Sequence, residues 1–224
     1  MFYITGDTHG QLSRLLNIDD TYLTKEDYII VLGDFGFIWY DGYAALENLK
    51  RIGAKKFSTV FIDGNHENFA KIKEISSEIG FLGGRADLLP YGIVHLKRGE
   101  IYDFDGTIVG VCGGANSIDK WARTENITWW ADEEITDTDV ANFKKNFKDY
   151  GKVDIMLSHD APASIIPAVK ILSQVNGNDI SNSQRKLEEI YYIANPKKWY
   201  FGHWHIDRVI NDQFECLYFG FKEI

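Results

Sequence analysis

Five short clusters in the 224-residue chain combine side chains that bind metals or move protons: Asp7-Thr8-His9, Gly33-Asp34, Gly64-Asn65-His66-Glu67, His159-Asp160 and Gly202-His203-Trp204-His205. Together they hold five of the six histidines. A lone Asp-x-His is ordinarily a satisfied structural pair. Aspartate, histidine and asparagine repeated in this way would be costly to bury unless a common partner satisfied them all. Divalent metal ions would do so.

Each cluster follows an apolar run rich in Ile, Val, Phe and Tyr that reads as a buried strand, at residues 2–5, 28–32, 57–62, 153–157 and 199–201. Helix-like stretches lie between the strands, roughly at 11–17, 43–52, 69–79, 137–150 and 182–194, with Thr136 or Asp137 placed to cap the fourth. Strands alternating with helices predict parallel pairing, and the carboxyl ends of parallel strands converge on one crevice. Closer spacing predicts hairpins among residues 93–96, 101–104 and 107–112, with a turn at Asp105-Gly106, and a last hairpin of 206–210 with 214–219 turning at Asn211-Asp212. The mixture predicts an α/β protein with two stacked sheets.

Residues 113–134 carry Trp121, Trp129 and Trp130, half of the six tryptophans, without clear periodicity. This segment reads either as a loop covering a cleft or as aromatic side chains sealing one edge of the core. Elsewhere the composition is that of an ordinary soluble globule, 45% hydrophobic and 25% charged with four Pro and 20 Gly, and a single domain over 1–224 is expected.

The 24 Lys and Arg against 33 Asp and Glu give a formal charge of −9, a balance that repels long duplex nucleic acid. A phosphate-bearing substrate is still compatible, because bound metals reverse the field locally. Cys112 and Cys216 sit in apolar strand contexts and predict buried thiols in a reducing compartment. With no leader-like N-terminus and no long apolar run, the expectation is a cytoplasmic protein with no membrane partner.

In order and spacing the clusters resemble the calcineurin-like metallophosphoesterase superfamily, whose motifs run Asp-x-His, Gly-Asp, Gly-Asn-His-Asp/Glu, His and Gly-His-x-His; here they extend from Asp7 to His205. The resemblance implies a four-layer α/β/β/α sandwich of two mixed sheets flanked by helices. It also implies two divalent ions, Mn first, with Fe, Zn, Co or Ni as alternatives. Imidazole and oxygen donors without thiolate suit these metals better than Ca. By the same resemblance, Asp7, His9, Asp34 and His205 hold one ion, while Asp34, Asn65, His159 and His203 hold the other. Asp34 thus bridges, since a carboxylate has two oxygens for ions about 3.5–4 Å apart. Asn65 contributes a carbonyl without adding charge, so two divalent ions outweigh the two carboxylates and draw in phosphate.

The implied reaction is hydrolysis of a phosphate mono- or diester by in-line attack of a metal-bound hydroxide. His66 would protonate the leaving alkoxide, a general-acid role worth about 10²–10⁴ in rate. The alternative for His66 is a structural histidine bonded to a neighbouring carboxylate. The substrate class is a phosphate ester of a small molecule, nucleotide or phosphopeptide. A functional alternative is an inactive binding scaffold of the same fold, although the loss of ligands or general acid that would mark one is not found here.

One departure stands out. In the Ser/Thr protein phosphatase branch Gly-Asp is followed by x-x-Asp-Arg, which orient the histidine and clamp phosphate; here Phe37 and Ile38 occupy those positions. Neither side chain can hydrogen-bond or carry charge. Glu67 and Asp41 are candidate orienters of His66 instead, and Arg85, Arg98, Lys120 and Arg123 are candidate phosphate clamps. The stretch from Gly113-Gly114 to Asp119-Lys120 resembles a loop of bacterial members of the superfamily, its glycines serving either a turn or an approach of backbone to substrate.

Overall fold

The computed structural model describes residues 1–224 apart from Tyr40, Asp41, Asn178 and the side chain of Tyr43. Among the described residues the strands are β1 (Phe2–Thr5), β2 (Tyr28–Leu32), β3 (Ser58–Ile62), β4 (Ser77–Phe81), β5 (Gly84–Leu88), β6 (Val94–Leu96), β7 (Ile101–Phe104), β8 (Thr107–Cys112), β9 (Ile155–Ser158), β10 (Lys198–Phe201), β11 (Arg208–Val209), β12 (Phe214–Cys216) and β13 (Phe221–Glu223). The helices are α1 (Ser13–Leu16), α2 (Tyr43–Gly53), α3 (Phe69–Ile75), α4 (Asp137–Tyr150), α5 (Ile166–Ser173) and α6 (Asn182–Ala194).

The strands form a seven-stranded sheet, β13-β1-β2-β3-β6-β5-β4, and a six-stranded sheet, β11-β12-β10-β9-β8-β7. In the first, β1, β2, β3 and β6 run parallel. In the second, β8, β9, β10 and β12 do. Antiparallel strands finish the edges of both, so each sheet is mixed.

Side-chain alternation builds the layers. In β2, Ile30 and Leu32 join Ile4, Val60 and Ile62 against Val109, Val111, Ile155 and Leu157 of the second sheet. Their neighbours Ile29 and Val31 face the other way and pack with Leu15, Leu49, Ile52 and Ile72 of α1 to α3. On the far side, Cys112, Met156, Trp199 and Phe201 pack with Phe143, Val169, Leu187 and Ile190 of α4 to α6. Helices therefore cover the outer face of each sheet, which is the expected four-layer α/β/β/α sandwich. Phe37 and Ile38 lie in the core under α2, which explains why those positions are apolar.

Several local expectations are corrected. The helix expected over 69–79 stops at Ile75, and residues 77–81 form β4, paired with β5 through a turn at Leu82 and Gly83 with φ of 45° and 86°. Ser76 already has extended backbone, with φ of −102° and ψ of 163°, and its N–H closes the last turn on Ile72 O. The run at 93–96 pairs with β3 rather than forming a hairpin with 101–104, and residues 97–100 carry the chain to the other sheet. Helix α5 was not anticipated. The hairpins turning at Asp105-Gly106 and Asn211-Asp212 are present, the second shortened to β11 and β12. Thr136 caps α4 through a reciprocal bond with Asp139, as Ser181 caps α6 with Gln184. Both cysteines are free and buried. Among the described residues no helix is long and apolar enough to cross a membrane.

Candidate metal centre

The carboxyl ends of β1, β2 and β3 meet those of β9 and β10 because the residue before several clustered side chains lacks a Cβ. A Cβ on Gly33 would stand 2.1 Å from His159 Nδ1, on Gly64 2.1 Å from Asp34 Oδ1, and on Gly202 2.2 Å from Asp7 Oδ1. Each glycine is the space that another cluster's side chain fills. The turns are also sharp: His9, Asp34, His203 and His205 have φ of 45°, 46°, 66° and 50°. That backbone costs on the order of 1–3 kcal/mol per residue, and it gathers at functional sites where surrounding structure enforces it.

Asp7 is buried, and its Oδ1 accepts the His203 N–H at 3.0 Å. Its Oδ2 is buried and accepts no well-formed hydrogen bond, although His205 Nε2 is 3.1 Å away and His9 Nε2 is 3.7 Å away. The two imidazole nitrogens lie 2.9 Å apart, and His9 Nε2 is 3.8 Å from Asp34 Oδ2. Burial lowers the His9 pKa despite the carboxylates of Asp34 and Asp7, whereas contact with Asp7 raises that of His205. Tyr218 stacks on the His205 ring at 4.5 Å and 14°, fixing its plane. Arg14 in turn donates to the carbonyls of Tyr218 and Asp7 at 2.5 and 3.0 Å.

The adjoining half is built around His159. A carbonyl can only accept, so the 2.7 Å contact of Nδ1 with Leu32 O makes Nδ1 the donor. Nε2 then faces Asn65 Oδ1 at 3.1 Å and Asp34 Oδ1 at 3.4 Å. Burial opposes charge on His159, but the carboxylates of Asp34 and Asp7 outweigh it and push the pKa up to about 10. Burial likewise opposes charge on Asp34, yet the neighbouring His159 holds its carboxyl well below the usual range. Asp34 Oδ1 also accepts the His66 N–H at 2.7 Å. The His203 ring centre is 5.0 Å from that of His159, and burial lowers its pKa. Asp160 accepts from Trp204 Nε1, Ala161 N and Gln184 Nε2, which secures Trp204 between His203 and His205.

Two sets of donor atoms converge here, Asp7 with His9 and His205, and Asp7 with Asp34 and His159. A buried carboxylate oxygen without a hydrogen bond, facing imidazole nitrogens that themselves converge, is a polar arrangement left incomplete by the protein alone. Its nitrogen and oxygen donors fit divalent transition metals.

His66 is half-buried, and its Nε2 lies 3.2 Å from Arg123 Nη2. A guanidinium has only donors, so Nε2 accepts. Burial lowers the His66 pKa, Asp34 opposes that, and Arg123 adds to it. Glu67 does not touch His66. Its buried carboxylate instead takes the backbone N–H groups of Phe35 and Gly36 at 2.6 and 3.4 Å, which holds the turn after Asp34. Burial and the nearby Asp34 raise its pKa to about 8. Asp41 lies outside the described residues.

Of the four cations read as candidate clamps, Arg123 touches His66 and the others are committed elsewhere. Arg85 pairs with Glu100 at 2.7 Å. Lys120 pairs with Glu134 at 2.9 Å. Arg98 is bound to Asp63 and to the carbonyls of Asp132, Glu133 and Glu134, so it fastens the end of the Trp-rich segment. Within that segment Trp130 is buried edge-on to Trp39 at 5.4 Å, while Trp121 is 86% exposed. One part seals core and another part faces solvent.

Sequence reasoning missed two residues of the site, Ser117 and Glu133. Asn65 Nδ2 donates to Ser117 Oγ at 3.0 Å, and Ser117 donates through both N and Oγ to the Glu133 carboxylate at 2.7 Å. A signal for them existed: β8 is a further parallel strand whose carboxyl end runs into glycines and then polar residues, as at the other clusters. The glycines allow close packing, since a Cβ on Gly113 would lie 2.4 Å from Asp63 O and one on Gly114 2.7 Å from Glu133 O.

The family model for calcineurin-like phosphoesterases matches residues 1–207. No curated protein matches the chain.

Proposed function

The chain belongs to the calcineurin-like phosphoesterase family, and on that premise we propose that it hydrolyses phosphate esters at a two-metal site, diesters ahead of monoesters. The observation that carries this reading is the buried, unbonded Asp7 Oδ2 facing His9 and His205 beside an Asp34 carboxylate turned to both halves. Asp34 Oδ2 faces His9 while Oδ1 faces His159, the arrangement a bridging ligand needs. Asp7, His9 and His205 would complete one half, and Asn65, His159 and His203 the other. Two divalent ions, Mn first, would supply Lewis acidity to the phosphoryl group and acidity to a water nucleophile.

The remaining roles fall to side chains. His66 is the general acid for the leaving oxygen. Arg123, whose Nη2 donates to His66 Nε2, would shift onto the phosphate when substrate binds, releasing Nε2 to carry the proton that the acid role requires. Arg123 also pairs with Asp119 at 2.7 Å, and the other candidate cations are engaged elsewhere. With so little positive charge beyond the metals, a singly charged diester is better matched than a dianionic monoester.

The test is to strip the purified chain with a chelator, reload it with Mn, and compare nitrophenyl phosphate with its bis-nitrophenyl diester. Metal-restored turnover, faster on the diester, is expected. A chain that takes up no divalent ion and hydrolyses neither is an inert scaffold, and the reading ends there. His66→Gln should slow an alkyl ester by about 10²–10⁴ while barely affecting the nitrophenyl esters, whose leaving groups need no proton. Equal alkyl rates would remove His66 from the acid role.

A further inference from the structure

Asparagine is an awkward metal ligand. One end of its amide is a carbonyl that can bind a cation and the other is an NH₂ that repels one, and the two ends are nearly identical in shape. Asn65 is 4% exposed, and its Oδ1 is directed to His159 Nε2 at 3.1 Å. Something must select that orientation, and the sequence neighbours of Asn65 do not.

The selection can be read from proton counting at Ser117 and Glu133, which are 2% and 0% exposed. Glu133 Oε1 takes the Ser117 backbone N–H, and Oε2 takes the Ser117 hydroxyl proton, both at 2.7 Å. A hydroxyl has a single proton. Burial disfavours the Glu133 carboxylate, and the two Ser117 donors favour it. With Glu133 ionised the hydroxyl proton is committed to it, so Ser117 Oγ presents only lone pairs to its other neighbour, 3.0 Å away, and that neighbour must show a donor. Asn65 therefore turns Nδ2 to Ser117 and its carbonyl into the site. Glu133 is itself held by the chain, its backbone O accepting from Ala115 N at 3.1 Å and, at 3.2 Å, from Arg98 Nη2.

We propose that Ser117 and Glu133 are positioning residues that set the Asn65 amide for one of the two metals, so that the Trp-rich segment acts as a brace for the metal site. The proposal rests on the two-metal reading given above. Its logic follows that of outer-shell partners generally, whose loss costs about 10–100-fold in metal affinity.

Mn binding to the metal-stripped protein, measured by calorimetry and by electron paramagnetic resonance, tests it without reference to turnover. Ser117→Ala should weaken one of two Mn equivalents by about 10–100-fold and leave the other unchanged, converting a spin-coupled pair to an isolated ion at limiting Mn. Ser117→Thr, which keeps the hydroxyl, should restore the pair. The decisive variant is Asn65→Asp, because a carboxylate offers oxygen at both ends and needs no selection. In that background Ser117→Ala should cost no Mn affinity. A Ser117→Ala protein that binds both equivalents as wild type does, or a penalty that persists in Asn65→Asp, overturns the proposal. Wild-type protein that binds no Mn overturns the two-metal reading instead, so the two failures are distinct.

Discussion

Two groups of buried carboxylates and histidines lie side by side at the end of β3, and they solve the same problem differently. Asp63 accepts from His95 Nε2 at Oδ1, at 3.1 Å, and from Arg98 at Oδ2, and His95 is bonded through its other nitrogen to Asp87 at 3.3 Å. Burial opposes the charge on His95, but Asp63 and Asp87 push its pKa up to about 9. Each ion in that group has its counterion within the chain. Two residues further on, Asn65 enters a group in which Asp7 Oδ2 accepts no well-formed hydrogen bond and His9 and His205 point their nitrogens at each other. A buried ionic cluster is therefore no sign of a ligand site by itself. The sign is a polar group that the protein leaves unmatched while satisfying its neighbours.

The comparison can be broken most sharply at the bridging carboxylate. Asp34→Asn should abolish high-affinity Mn uptake and lower turnover on the order of 10³-fold, the scale of losing about 4 kcal/mol of charge stabilisation. Metal analysis together with diester kinetics checks it, and a variant that keeps both metals and rate would make the two clusters equivalent. Asp63→Asn should do the reverse. It leaves Arg98 and His95 buried without their shared partner, so chemical denaturation should show a loss of about 3–5 kcal/mol while the Mn stoichiometry holds.

The smallest effect sharpens the contrast through pH. His95 has a folded pKa of about 9 against an ordinary 6.5, so its ion pairs contribute fully below 6.5 and their contribution fades as pH rises through about 9. Denaturation midpoints measured across that window should fall with rising pH in the wild type. His95→Gln should be less stable at the acid end and should lose most of the slope. An unchanged slope in the variant would assign the titration to another group.

The five polar clusters were legible because each follows an apolar run, and in four of them a glycine stands directly before the polar side chain, Ser158 before His159 being the exception. The sandwich was legible for a related reason, since alternation in runs such as 28–32 dictates burial on both faces of a sheet. What stayed hidden depends on contacts across long stretches of chain. Glu133 reaches Asn65 only through Ser117, 16 residues away from it, and no pattern around Glu133 announces that role. The replacement of the protein-phosphatase Asp-Arg pair by Phe37 and Ile38 was visible as a departure. Its consequence, Arg123 arriving at His66 from the far segment, needed the folded chain. Residues 77–79 read as a helix tail because the strands of a hairpin and the end of a helix share the same sparse apolar spacing until the partner strand is known.

The converging donors come from both sheets: Asp7, Asp34 and Asn65 follow strands of the first, whereas His159, His203 and His205 follow strands of the second. Cations seated there would rivet the sandwich along its seam, since neither sheet could peel away without surrendering its half of the coordination. Chemistry and mechanical cohesion would then draw on the same few bonds.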